Sequence, residues 1–158
     1  MNVEDREILR TLLTEIRVLS LGVLVDGLPH VGLLPFVVSD DYASALVHAS
    51  RLAKHSRGLQ SGSAVSVMIH EADDNPRSDP LQIARVTLSG TVQRVVKNGS
   101  DYQAARQAFV DCFPTSEPTF ALGDFNLYRL QFERGRLVAG FARAVNLRPE
   151  SFRELGLP

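Results

Sequence analysis

Between Ala84 and Val96 the side chains alternate: Ala84, Val86, Leu88 and Val92 are apolar, and Arg85, Thr87, Ser89, Thr91 and Gln93 between them are polar. A period of two over so long a run belongs to a strand with one face on a core and the other turned away, as in antiparallel sheets. A parallel strand covered by helices on both faces would instead be apolar throughout.

The flanking segments repeat the signature. "VLSLGVLV", the turn residues Asp26 and Gly27, and "HVGLLPFVV" form a predicted hairpin, with a third strand "SALVHA" after the Asp40 and Asp41 turn. "AVSVMI" resumes the sheet before the polar loop "EADDNPRSDP". Near the end, "FNLYRLQF" and "RLVAGFA" read as two strands joined by a tight turn from Glu133 to Gly135. Helical spacing appears first in residues 3–17, where Asn2 is placed to cap and Ile8, Leu9, Leu12, Leu13 and Ile16 share a face. It returns around "DYQAARQAFVDCF", where the lone Cys112 reads as a small buried hydrophobe, and for one turn in the tail "NLRPESFRELGLP". Six or seven short strands joined mostly by hairpins, with helices inserted, predict an α+β chain built on an antiparallel barrel. One domain is expected over 1–158: helix 3–17, barrel 18–147, tail 148–158.

Composition removes several functions. A net charge of -1 argues against a surface that grips nucleic acid, and a single cysteine excludes an internal disulfide framework or multi-cysteine metal cage. The start "MNVEDREILR" is charged where a signal peptide needs its apolar core, and the longest apolar run, Val18 to Val25, is too short to span a bilayer. A cytoplasmic, soluble protein is the expectation. No two glycines stand two apart, so no dinucleotide fingerprint exists, and His30, His48, His55 and His70 show no metal-ligand spacing.

One stretch concentrates positive charge. "SRLAKHSRGLQ", Ser50 to Gln60, holds Arg51, Lys54, His55 and Arg57, and no acid lies between Asp41 and Glu71. A short helix is predicted here, with Ser50 as its cap and Leu52 and Leu59 facing inward. Cations in the first turn of a helix are unfavourable unless an anion is shared between them, so a phosphate site and a solvated face are both open readings.

Four segments in order, "PHVGLLPFVV", "LVHASRLAKHSRGLQSGSAVSVMI", "ARVTLSGTVQRV" and "FALGDFNLYRLQFERGRLVAGFARAVNL", resemble the pyridoxamine 5'-phosphate oxidase-like FMN-binding split barrels. The closer likeness is to the branch with the HugZ-type haem-utilisation proteins. The resemblance implies a homodimer of six-stranded antiparallel split β-barrels with cofactor sites at the subunit interface. It implies that Lys54 and His55 hold the FMN phosphate, with Ser50 or Ser56 as hydroxyl donor and Arg51 as a further cation. It also implies that the backbone at Leu34, Pro35 and Phe36 borders the flavin ring and that Arg85 meets the flavin edge or a propionate. The resulting expectation is a flavin-dependent oxidoreductase of unassigned substrate, with no nucleic acid, membrane or structural metal. The alternatives are a haem-binding or haem-degrading protein and a non-catalytic flavin or deazaflavin-binding dimer. No histidine follows His70, so a tail histidine of the kind haem-degrading relatives use is missing.

Overall fold

The computed structural model describes residues 1–77, 79–140 and 142–156. The chain forms α1 (Val3–Thr14), β1 (Val18–Val25), β2 (Leu28–Val38), β3 (Ser44–Ser50), β4 (Ala64–His70), β5 (Arg85–Val95), α2 (Tyr102–Cys112), α3 (Glu117–Phe120), β6 (Phe125–Val138), β7 (Ala144–Leu147) and α4 (Pro149–Arg153). The sheet order is β3-β2-β1-β4-β5-β6-β7, and a further β3–β6 pairing closes the first six strands into a barrel. Every pairing is antiparallel. This is the predicted fold class, a six-stranded antiparallel split β-barrel with peripheral helices, carrying one extra strand at the edge of β6.

Local chemistry explains each start and stop. Asn2 accepts a hydrogen bond from the Asp5 amide at 2.7 Å and begins α1 as expected. The helix ends at Thr14, three residues before the predicted end, because the Arg17 carbonyl accepts from the Phe36 amide and so belongs to the β1–β2 ladder. Asp26 and Gly27 both have positive φ, 53° and 76°, the pair a two-residue hairpin turn requires.

The expected turn at Glu133 to Gly135 is absent: β6 runs unbroken from Phe125 to Val138. Ser89 pairs with Arg134 and Gly90 with Phe132, so Glu133 is an extra residue in a bulge that bends the strand without ending it. Gly135 is needed for space, since a Cβ there would stand 2.5 Å from Leu88 Cδ2 and 2.7 Å from the Thr87 carbonyl oxygen. The second of the two predicted strands, 136–142, contributes only its first three residues to the end of β6, and the short β7 that follows it was not predicted; its Phe141 lies outside the described residues.

Leu19, Leu21, Val67, Ile69, Val86, Leu88 and Leu130 fill the barrel, and Leu9, Leu12, Leu13 from α1 with Phe152 from α4 join the same core. Arg143, beyond β6, ties its loop to α1 through Asp5 at 2.6 Å and Glu4 at 3.0 Å. A second apolar cluster joins Tyr102, Phe109, Val110, Phe113 and Phe120 of the α2–α3 region to Leu46, Val95 and Leu127. It covers the outer side of β3, which is why β3 is buried on both faces. Cys112, at the end of α2, is exposed rather than buried. Among the described residues no helix is long and apolar enough to cross a membrane.

His48 is sandwiched in this second cluster. Its ring stacks on Phe120 at 3.8 Å and meets Phe109 edge-on at 5.8 Å. Burial, helped by the Lys97 charge, lowers its pKa from 6.5 to about 4. A depressed histidine pKa means the unfolded chain binds the proton more readily, so this contribution is intact above pH 6.5 and shrinks as pH falls toward 4. Discounted for solvent screening, the loss should be on the order of 1–2 kcal/mol. Urea unfolding of wild type and His48→Leu at pH 7 and pH 4.5 measures it. The variant should lose less stability than wild type across that interval, and equal losses would assign acid sensitivity to other groups.

Candidate functional site

Helices α2 and α3 shield β3, and α2 also packs on Val37 at the end of β2, but among the described residues Val31 and Leu33 of β2 and Met68 of β4 stay exposed. Register aligns Leu33 with Ser20 and Ser20 with Met68, and likewise Val31 with Gly22 and Gly22 with Ser66. Val31 and Leu33 are 77% and 67% exposed, and Val18, Leu24, Leu28 and Met68 are exposed on the same strands. Scattered exposed apolar side chains are ordinary; an aligned set on adjoining strands marks an interaction face.

A groove of about 430 Å³ crosses this face. Gly22, Ser66, Ser89 and Gly90 are among its small lining residues, Leu24 and Val31 supply apolar wall, and Arg134 stands toward β6. Arg134 has no acid partner among the described residues, and Arg134, Arg136 and Arg148 line an adjoining cavity of about 370 Å³ with Thr87 and Ser89. The face therefore grades from apolar on β2 to charged on β6, where Glu133 lines the groove beside Arg134 and the adjoining cavity adds Arg136 and Arg148.

The cation-rich stretch lies elsewhere, at the barrel end where β1, β3 and β5 finish. It forms a single five-residue 3-10 turn, Lys54–Gly58, preceded by Ala53 with no side-chain cap. Ser50 is not the cap: its hydroxyl donates to Asp124 at 2.6 Å and accepts from the Leu52 amide. Leu59 is buried as predicted, but Leu52, expected to face inward, is 86% exposed because it precedes the turn and does not share a helical face with Leu59. So short a turn lacks an appreciable dipole, and the first-turn conflict inferred from sequence does not arise in that form.

The predicted site residues divide into groups. Arg57 is ion-paired with Asp26 at 2.9 Å, both side chains mostly exposed. Arg51 donates weakly to the Gly123 carbonyl at 3.3 Å. Lys54 is exposed and has no hydrogen bond or ion pair among the described residues. The His55 ring rests on Gly32, where a Cβ would stand 2.5 Å from its Nδ1, and its buried Nε2 has no partner; burial lowers its pKa. Leu34 and Phe36 point into the barrel core, with Pro35 between them aligned opposite Val18. Arg85 begins β5 and donates to the Leu81 and Ile83 carbonyls at 3.1 and 3.0 Å. Within one chain Arg85 does not join Lys54 and His55, because nearly the whole of β5, about 30 Å at a strand's rise, separates it from that end.

Sequence reading missed Arg94, Asn126 and Tyr128, which line a cavity at this end with Arg51 and Ser56. Arg94 continues the inward-facing series Val86, Leu88 and Val92, so a charge on the apolar parity at the strand's end was the available signal.

No family model matches the chain. The haem oxygenase HutZ of Vibrio cholerae is 29% identical over 123 residues, which cover 77% of this chain and 68% of that protein. The structure of a haem binding protein from Mycobacterium smegmatis matches with a TM-score of 0.81 at 26% identity, covering 98% of this chain and 62% of its own. The chain thus spans less than two thirds of that relative. A FAD and haem binding protein from Mycobacterium smegmatis matches with a TM-score of 0.66 at 19% identity over 94% of this chain and 77% of that one, a likeness of fold.

Fold and relatives together define a split barrel similar to haem-binding proteins. The chain has the fold of the pyridoxamine 5'-phosphate oxidase-like split barrels and fits their HugZ branch, with HutZ and haem-binding proteins as its relatives.

Proposed function

We propose that this chain binds a planar prosthetic group, haem or a flavin, in the outer groove, and that a second copy of the chain covers the groove. The observation that carries this reading is the uncovered face, apolar at Val31 and Leu33 and cationic at Arg134 and Arg136. Haem is the first choice, because the relatives named above bind it and its propionates are the acidic edge that arginines pair with best.

FMN is the second reading, and the unpaired Lys54 and the unsatisfied His55 Nε2 favour it. In that case Lys54, His55, Ser50 and Arg51 hold the phosphate, the backbone at Leu34, Pro35 and Phe36 borders the ring, and Arg85 comes from the partner copy. Either group would supply the redox chemistry, with the protein providing position and a shaped, water-poor surface. Flavin-dependent oxidoreductase activity, haem breakdown, and carriage of a flavin or deazaflavin without turnover are the activities to separate.

Titration with haem and, separately, FMN distinguishes them. A Soret band that saturates at one haem per chain is the expected result, and a bound flavin spectrum would favour the second reading. If neither ligand binds at micromolar concentration, the proposal fails.

A further inference from the structure

We infer that His70 is the residue of this chain that ligates the iron of a haem bound on the outer face, an inference that rests on the haem reading proposed above and deepens it. Strand β4 turns Val65, Val67 and Ile69 into the core, so Ser66, Met68 and His70 stand on its outward side. Register sets Met68 beside Ser20 and Ser20 beside Leu33, which places His70 next along the same apolar face. A cavity of about 270 Å³ opens there, with Val18, Leu33, Met68 and Ala72 beside His70 in its wall. Among the described residues no aspartate, glutamate, lysine or arginine lines it.

The hydrogen bonding of the ring decides what it offers. His70 Nδ1 lies 2.7 Å from the Glu71 carbonyl oxygen. A carbonyl only accepts, so Nδ1 carries the proton and the neutral ring keeps its lone pair on Nε2. Nε2 has no partner among the described residues, and the residue is exposed. An imidazole held through one nitrogen by a backbone carbonyl, with the other nitrogen free, is the arrangement of metal-bound histidines, and imidazole is an axial ligand of haem iron.

The other three histidines do not offer this. His48 is 7% exposed and stacked on Phe120 in the second apolar cluster. The ring of His55 rests on Gly32 with its Nε2 buried. His30 lines the groove, but it aligns with the core residue Val23 and so falls on the barrel side of β2.

The placement of the arginines suits the same ligand. Met68 aligns with Thr87 and Thr87 with Arg136. Arg136 therefore stands two strands over and two residues along from His70, about 10 Å by about 7 Å. Its guanidinium is steadied by Asn146 at 2.7 Å. A porphyrin whose iron meets His70 can reach Arg136 with a propionate, whereas a flavin gives the free Nε2 no task.

The test is resonance Raman and absorption spectroscopy of the haem-loaded chain, with haem affinity measured alongside, on wild type, His70→Ala and His30→Ala. Wild type and His30→Ala should both show an iron–imidazole stretch in the ferrous state. His70→Ala should lose it and bind haem about tenfold more weakly or worse, since even the partners that support a ligand cost that much when removed. Added imidazole should restore the band. Because His70 is exposed, the variant should melt close to wild type, which separates lost ligation from lost folding. Haem-loaded wild type without the band, a band that survives His70→Ala, or one that vanishes in His30→Ala overturns the assignment while haem binding stands. Wild type that forms no Soret band removes the haem reading itself, and this inference with it.

Discussion

Gly90→Ala should destabilise the protein by about 3 kcal/mol or more, the range of forced overpacking that a backbone cannot relieve. The residue sits beside the β6 bulge, where Glu133 is extra and the pairing shifts between Ser89 and Gly90. A Cβ at Gly90 would collide with the Gln131 carbonyl oxygen and lie 2.9 Å from its carbon and 3.1 Å from Phe132 Cα. All three atoms belong to the neighbouring backbone, so no side chain can swing away. Only displacement of β6 would make room, and β6 is paired with β3, β5 and β7 at once. For a chain of this size the melting temperature should drop on the order of 10 °C. Gly123→Ala is the control, since nothing lies within 4 Å of a Cβ there. It should stay within about 0.5 kcal/mol of wild type. A Gly90→Ala protein that melts with wild type would show that the bulge relaxes more easily than its geometry implies.

The second large effect is expected from Leu33→Glu. Leu33 is already 67% exposed in the single chain, so glutamate there should leave the melting temperature of the isolated barrel nearly unchanged. If a second copy packs on this face about a two-fold axis, each substitution buries two carboxylates, one from each chain. A few kcal/mol of desolvation and repulsion then weakens association by about 100-fold or more. Light scattering should show dimers for wild type and single chains for the variant at micromolar concentration, and cofactor retention should fall in step. Dimers that persist in Leu33→Glu would move the interface elsewhere; monomeric wild type would remove it.

How much of this was legible in the sequence depended on distance along the chain. The Asn2 cap, the Asp26 and Gly27 turn and the alternation of β5 are governed by neighbouring residues, and each appears as expected. The charge cluster was different, because what decides its state comes from far away. Asp26 pairs with Arg57 and Asp124 holds Ser50, and neither lies in the stretch whose acids were counted. Glycine misled for a related reason. Gly135 resembled a turn signal, but it serves the close approach of Leu88 and the Thr87 carbonyl, a contact made only once β5 and β6 are paired. Arg94 was readable and was overlooked. Its position in the inward series was plain, and the significance of a charge there follows from the strand ending at an open barrel rim.

The pairing of β3 with β6 also sets the order in which the protein can be made. Ser44 waits for Gln131 and Ser50 for Phe125, so the barrel cannot close until the residues through Gln131 have left the ribosome. Until then one edge of β3 carries unpaired amides and carbonyls beside apolar Leu46 and Val47, a template for the wrong strand. Closure across so long a loop is slow for a small domain. The interval between synthesis of β3 and arrival of β6 is therefore when a nascent chain is most exposed to aggregation, and when a chaperone or a cooler expression temperature would raise its yield most.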